Sequence, residues 1–150
     1  MFGWLGAASG PLLQGRRVRL VRRLVDALNN RDFVGVRTLL KDDFVYRDVA
    51  DHAIEGADGY VQAMKVLFEA APDLQFDVPE LSTAGGRVLA KGSLVSADPQ
   101  FTTDSLWHIS IEGGLIADMQ SYRHENAVPV IALYDEKRRS AAAVNGSDAP

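Results

Sequence analysis

The chain has 150 residues, 47% of them hydrophobic and 24% charged, a balance that fits one globular domain with a single core and argues against a disordered or membrane-embedded chain. Sixteen lysines and arginines stand against 20 aspartates and glutamates, so the net charge of −4 gives no global reason to expect nucleic acid. There is no cysteine, which removes disulfides, thiolate metal sites and a cysteine nucleophile, and is compatible with a cytoplasmic protein.

MFGWLGAASGPLLQG, residues 1–15, is apolar and glycine-rich, has no basic leader and is too short to span a bilayer, so a flexible arm is expected. Residues 16–134 are expected to form the single domain, and the small, polar residues 135–150 a disordered tail. VRLVRRLVDALNN, residues 18–30, places Val18, Val21, Leu24, Val25 and Leu28 on one stripe of a helix, with Arg16, Arg19 and Arg23 off it. The basic run RRVRLVRR, residues 16–23, could bind an anionic cofactor or RNA; the preferred reading is a solvated face answered by nearby acids, because the run lacks the interleaved aromatic residues of a nucleic-acid surface.

NRDFVGVRTLL is expected to be a second, short helix with Asp32 as its N-cap. DDFVYRD, residues 42–48, is the first strand. A third helix over roughly 57–71 follows, with Tyr60, Val61, Met64, Leu67 and Phe68 in its apolar set and Pro72 at its end. The period then changes to two. LQFDVPELS reads as a strand in which Pro79 marks an edge or a bulge. RVLAKGSLVS is the next strand, and FTTDSLWHISI and LIADMQSYR form a final hairpin. A three-residue loop, Glu112-Gly113-Gly114, would group Trp107, Ile109 and Ile111 with Ala117, Met119 and Ser121 on the apolar face. It would leave His108, Ser110, Asp118 and Gln120 on the polar one. The predicted class is α+β: a curved mixed or antiparallel sheet covered by about three helices.

Tyr46 and Asp48 lie two residues apart on the first strand, so both point to one face, and that face is otherwise apolar. Either the pair works in a pocket, or Tyr46 is core and Asp48 caps a turn. Asp48, Asp51 and His52 make a weak metal set, with no second histidine at helical spacing. No Ser-His-Asp order, phosphate loop or dinucleotide fingerprint is present.

ALNNRDFVGVRTLLKDDFVYRD and the closing WHISIEGGLIADMQSYR resemble the nuclear transport factor 2-like superfamily, which includes ketosteroid isomerases, SnoaL-type polyketide cyclases and limonene epoxide hydrolases. The resemblance covers residues 16–126. It implies a conical barrel, the cystatin-like roll, with a deep apolar cavity, and a homodimer through the sheet. It places Asp48 where the isomerases keep their general base, and Tyr46 with Asp48 where the epoxide hydrolases hold a water. A carboxylate buried in such a cavity holds its proton more tightly and is the stronger base for it. Leu24, Tyr60, Met64, Phe68, Trp107, Ile109, Met119 and Ser121 are the expected substrate-binding residues.

The departures are specific. Leu24 and Trp107 stand where the isomerase oxyanion hole has a tyrosine and an acid. Trp107 and Ser121 stand where the cyclases have a histidine and an aspartate. Gly92-Ser93-Leu94 replaces the hydrolases' Arg-x-Asp. The resemblance therefore implies a protein that binds a hydrophobic, carbonyl-bearing small molecule and uses Asp48 for proton transfer without a cofactor or metal, as an isomerase, cyclase or dehydratase/hydratase. The alternative is a non-catalytic binding or dimeric scaffold module of the same fold. Neither version engages nucleic acid or a membrane.

Overall fold

The computed structural model describes residues 11–50, 52–123 and 134–139. Helix α1 (Pro11–Asn29) leads through a tight turn into α2 (Phe33–Leu39) and strand β1 (Leu40–Arg47). A short strand β2 (Ala53–Glu55) precedes α3 (Ala57–Ala70). Strands β3 (Gln75–Ala84), β4 (Arg87–Val95), β5 (Thr103–Glu112) and β6 (Leu115–Arg123) follow, with one 3-10 turn (Pro99–Phe101) between β4 and β5. The six strands form one open, curved sheet in the order β2-β1-β6-β5-β4-β3. All neighbours are antiparallel except β1 and β6, which run parallel. The helices cover the inner face, where Leu24, Phe44, Leu67, Ile109 and Ile116 are among the buried core.

Two boundaries differ from those expected. α1 begins at Pro11, so residues 11–15 of the expected arm are helical. A proline costs nothing in a first turn, where its missing N–H has no intrahelical acceptor. Residues 134–139 are also helical, so residues 135–139 of the expected tail lie in a helix. Residues 1–10 and 140–150 lie outside the described residues. The expected N-cap is present: Asp32 Oδ1 accepts from Gly35 N at 2.9 Å.

The hairpin keeps the expected faces by another route. Gly113 and Gly114, both at positive φ, make a two-residue turn, and Glu112 pairs with Leu115. Alone, that turn would put Asp118 on the buried face. The register shifts between Ser110 and Ile111, leaving Ala117 as an extra residue in β6, and from there Trp107 pairs with Ser121 and Ile109 with Met119. A bulge of this kind leaves Ile116 and Ala117 buried in succession.

The β3 edge carries both features that Pro79 announced. β3 ends the sheet, and its pairing with β4 shifts between Asp77 and Glu80. Gly92 of β4 faces this irregularity, and a Cβ there would collide with the Asp77 carbonyl oxygen. The open edge is closed by α1. Asn29 donates from Nδ2 to the Phe76 carbonyl (2.9 Å) and accepts the Phe76 N–H at Oδ1 (2.8 Å), as a neighbouring strand would. Arg22 donates to the Val78 carbonyl at 2.7 Å. Arg31, at φ 56°, ties the helix turn to the segment before β3 by donating to the Pro72 and Leu74 carbonyls, with its guanidinium 3.6 Å from the Phe68 ring centroid.

Candidate functional site

The interior between α1, α3 and the sheet is dominated by aromatic rings. Phe44 and Tyr46 each pack on Tyr60, with centroids 5.0 and 5.7 Å apart, and Phe76 lies 6.1 Å from Trp107. Among the described residues this interior holds two small cavities, of about 30 and 10 Å³. Leu24, Ile109 and Met119 line the larger, Tyr46 and Met64 the smaller. Tyr60, Phe76 and Trp107 form walls shared by both. The larger has room for a water molecule or two and the smaller for one at most, far less than a ligand that fills a typical site of about 300–1,000 Å³. The deep open cavity expected from the resemblance is thus, among the described residues, nearly filled by these rings.

Tyr46 is 3% exposed and faces the interior as expected from strand alternation. Asp48 follows the last residue of β1 and lines neither cavity. Its side chain is 13% exposed. Oδ1 accepts from Ala50 N (2.9 Å) and His52 N (3.0 Å), Oδ2 lies 3.3 Å from His52 Nδ1, and the Asp48 N–H donates to the His52 carbonyl. Gln120 Nε2, on β6, donates to the Asp48 carbonyl at 2.8 Å. In this arrangement the carboxylate caps the β1–β2 loop, which is the structural role weighed for it above.

Ser121 has the more unusual environment. It is 1% exposed, pairs with Trp107 across β5 and β6, and its hydroxyl has no hydrogen-bond partner among the described residues. Buried polar groups are nearly always paired, and leaving one unpaired costs about 1–3 kcal/mol. β1 and β6 run parallel with Tyr46 opposite Met119, so Ser121, two residues on, sits on the inner face at the Asp48 end of the sheet.

Of the expected substrate-binding set, Ser121 and Phe68 line neither cavity. Phe68 is buried, but it packs on Phe33, Phe76 and Arg31. The sequence reading missed Phe76, Val78 and Ala90, all walls of the larger cavity. The alternation of LQFDVPELS carried the signal for the first two, since Phe76 and Val78 share a face. Among the described residues no three His, Asp or Glu side chains are grouped to hold a metal, and no helix is long and apolar enough to cross a membrane. Asp51 of the weak metal set lies outside the described residues.

The SnoaL-like domain family matches the sequence over residues 21–119. No curated protein matches it significantly. Solved structures share the fold at low identity. A candidate ketosteroid isomerase from Kribbella flavida is 21% identical with a TM-score of 0.67, covering 77% of this chain and 83% of that one. A candidate SnoaL-like polyketide cyclase from Jannaschia sp. is 20% identical, also at 0.67, covering 76% and 88%. An LEH-like epoxide hydrolase from M. tuberculosis is 19% identical at 0.61, covering 90% and 98%.

Proposed function

Because the chain belongs to the SnoaL-like domain family, we propose that its interior receives a small, mostly apolar molecule with a carbonyl group, bound against Tyr46 and Trp107 with its oxygen reaching Ser121, the cross-strand partner of Trp107. The observation that carries this reading is the orphaned Ser121 hydroxyl. A carbonyl oxygen brought to it would recover the cost of burying an unpaired donor, and the surrounding rings would cover the apolar remainder. Access needs rearrangement of Tyr60, Phe76 and Trp107, whose rings separate the two cavities. Binding without chemistry is the version that the geometry supports best, since Asp48 Oδ1 is already occupied by two backbone N–H groups.

A second version is favoured by one observation: among the described residues Asp48 Oδ2 meets only His52 Nδ1, at 3.3 Å, and the Asp48 side chain is 13% exposed. Oδ2 is then the atom that takes a proton next to the ligand carbonyl, with Tyr46 orienting the ligand. A positioned base contributes about 10²–10⁴ in rate, and isomerisation, cyclisation or (de)hydration of this kind needs no cofactor. The reading includes a homodimer through the outer face of the sheet, where exposed Tyr122 packs on His108 at 4.9 Å.

The test is ligand-induced thermal stabilisation with steroid enones, aromatic ketones, terpenoids and fatty acids, using the native protein, Ser121→Ala and Asp48→Asn. A ligand at 100 times its Kd stabilises by about 2.7 kcal/mol. Ser121→Ala should weaken a true ligand by about tenfold. Asp48→Asn retains the Oδ1 acceptor, so the loop stays capped. Turnover in the native protein but not in Asp48→Asn would establish the catalytic version. Equal binding without product would establish the carrier. Absence of any hit that depends on Ser121 would sink both.

A further inference from the structure

At the opposite end of the sheet from Asp48, the first half of α1 and the β5–β6 turn enclose a cleft of about 590 Å³. One wall carries Arg16, Arg17, Arg19 and Arg23, and the floor is Leu13, Leu20 and Ile111 beside the Gly113-Gly114 turn. Among the described residues none of these four arginines makes a hydrogen bond or ion pair, which corrects the expectation that nearby acids answer the basic run. The acid nearest in sequence to the turn, Glu112, is engaged elsewhere, with Lys41 Nζ at 3.1 Å. Composition does not explain the cluster, because acids outnumber bases in the chain. Other arginines are spent: Arg22 on Val78, Arg31 on the Pro72 and Leu74 carbonyls, and Arg37 on Asp42 and Asp58.

We infer that this cleft binds a free amphipathic anion, a phosphate or carboxylate head on an apolar chain. The planar guanidinium groups supply paired donors suited to both heads. Arg17 is half-buried, with its guanidinium close to Gly86 of the β3–β4 turn, so it is the arginine best held for the head group. The tail lies on Leu13, Leu20 and Ile111. The volume falls in the small-molecule range. Among the described residues no aromatic side chain lines the cleft, so these residues supply none of the stacking platforms that single-stranded nucleic acid needs. The inference is independent of the interior reading, because it uses none of Tyr46, Asp48, Trp107 or Ser121.

The experiment is calorimetric titration of the full chain with monomeric dodecyl phosphate and dodecanoate, with inorganic phosphate and decanol as half-ligands. Both amphiphiles should bind at least tenfold more tightly than either half-ligand. Arg17→Gln, and separately Arg16→Gln with Arg19→Gln, should each lose at least tenfold while melting within a few degrees of the native protein. Arg17→Lys should recover part of the loss, and Ser121→Ala should change nothing. Decanol binding as well as dodecyl phosphate, or arginine variants binding as the native protein does, overturns the proposal. So does sedimentation with phosphatidic acid vesicles without binding of monomeric dodecyl phosphate, which assigns the cleft to a membrane surface. Displacement by an RNA oligonucleotide, tighter than any amphiphile, overturns it in favour of nucleic acid.

Discussion

The two halves of α1 use the same residue types in opposite ways. Its last turns are bound to β3: Asn29 exchanges two hydrogen bonds with Phe76, and Arg22 donates to Val78. Its first turns carry Arg16, Arg17 and Arg19, with Arg23 at the junction, and these meet no acceptor among the described residues. Arg22 and Arg23 are neighbours in sequence, yet one closes a sheet edge and the other faces a cleft. The 100° turn between them decides it, together with what the sheet offers on each side. Arginines on this helix are thus structural or available according to the backbone groups within reach, not according to local charge density.

That contrast can be broken from the bound end first. Gly92→Ala should have the largest effect, about 3 kcal/mol, because a Cβ meets the Asp77 carbonyl at the irregularity that Arg22 and Asn29 hold. Denaturant unfolding measures it, and a loss below about 1 kcal/mol would show that β3 yields freely. Asn29→Ala should cost about 2 kcal/mol by orphaning both Phe76 backbone groups, and Asn29→Asp about half as much, since it keeps the acceptor for the Phe76 N–H. Arg22→Met should cost about 1 kcal/mol, whereas Arg23→Met and Arg16→Met should stay within about 0.5 kcal/mol of the native protein. Equal losses for Arg22 and Arg23 would remove the distinction drawn here.

The smallest effect is on the acid limb of stability. The Ala97 N–H and the Ser96 hydroxyl donate to Asp73 and hold its carboxyl below the ordinary value of 3.8, with the Arg31 charge adding to the effect. A depressed carboxyl contributes stability that is complete above the unfolded value and is lost as pH falls through the folded one. Asp73→Asn should therefore flatten the decline in melting temperature below about pH 4, and an acid limb of unchanged slope would contradict this assignment.

The sequence made most of this architecture legible because periodicity marks buried faces. The α1 stripe, the Asp32 cap, the third helix and the alternating strands are all where the pattern places them. It failed where local signals compete. The glycine-rich composition of residues 1–15 reads as an arm, although a first-turn proline is tolerated and a helical glycine such as Gly15 costs only about 1 kcal/mol. β2 is too short to show a period. The β6 bulge and the three-residue loop predict the same faces, so pattern alone could not separate them. At the candidate site, alternation found Tyr46, Trp107, Ile109 and Met119. It could not tell that Asp48 caps a loop, because that depends on the backbone of Ala50 and His52. Nor could it tell that, among the described residues, aromatic rings nearly fill the space that a family resemblance leaves open.

The central claim is that the two ends of the molecule take different chemistry, an apolar carbonyl compound inside and an amphipathic anion at the arginine cleft. Amide and indole N–H shifts followed by NMR during separate titrations test it most directly. The account predicts that a carbonyl ligand moves the Trp107 indole and the Met119 and Ser121 amides while Gly113 and Gly114 stay still, and that dodecyl phosphate does the reverse. A carbonyl ligand that moved only the Gly113-Gly114 end, or one set of residues responding to both ligands, would contradict it.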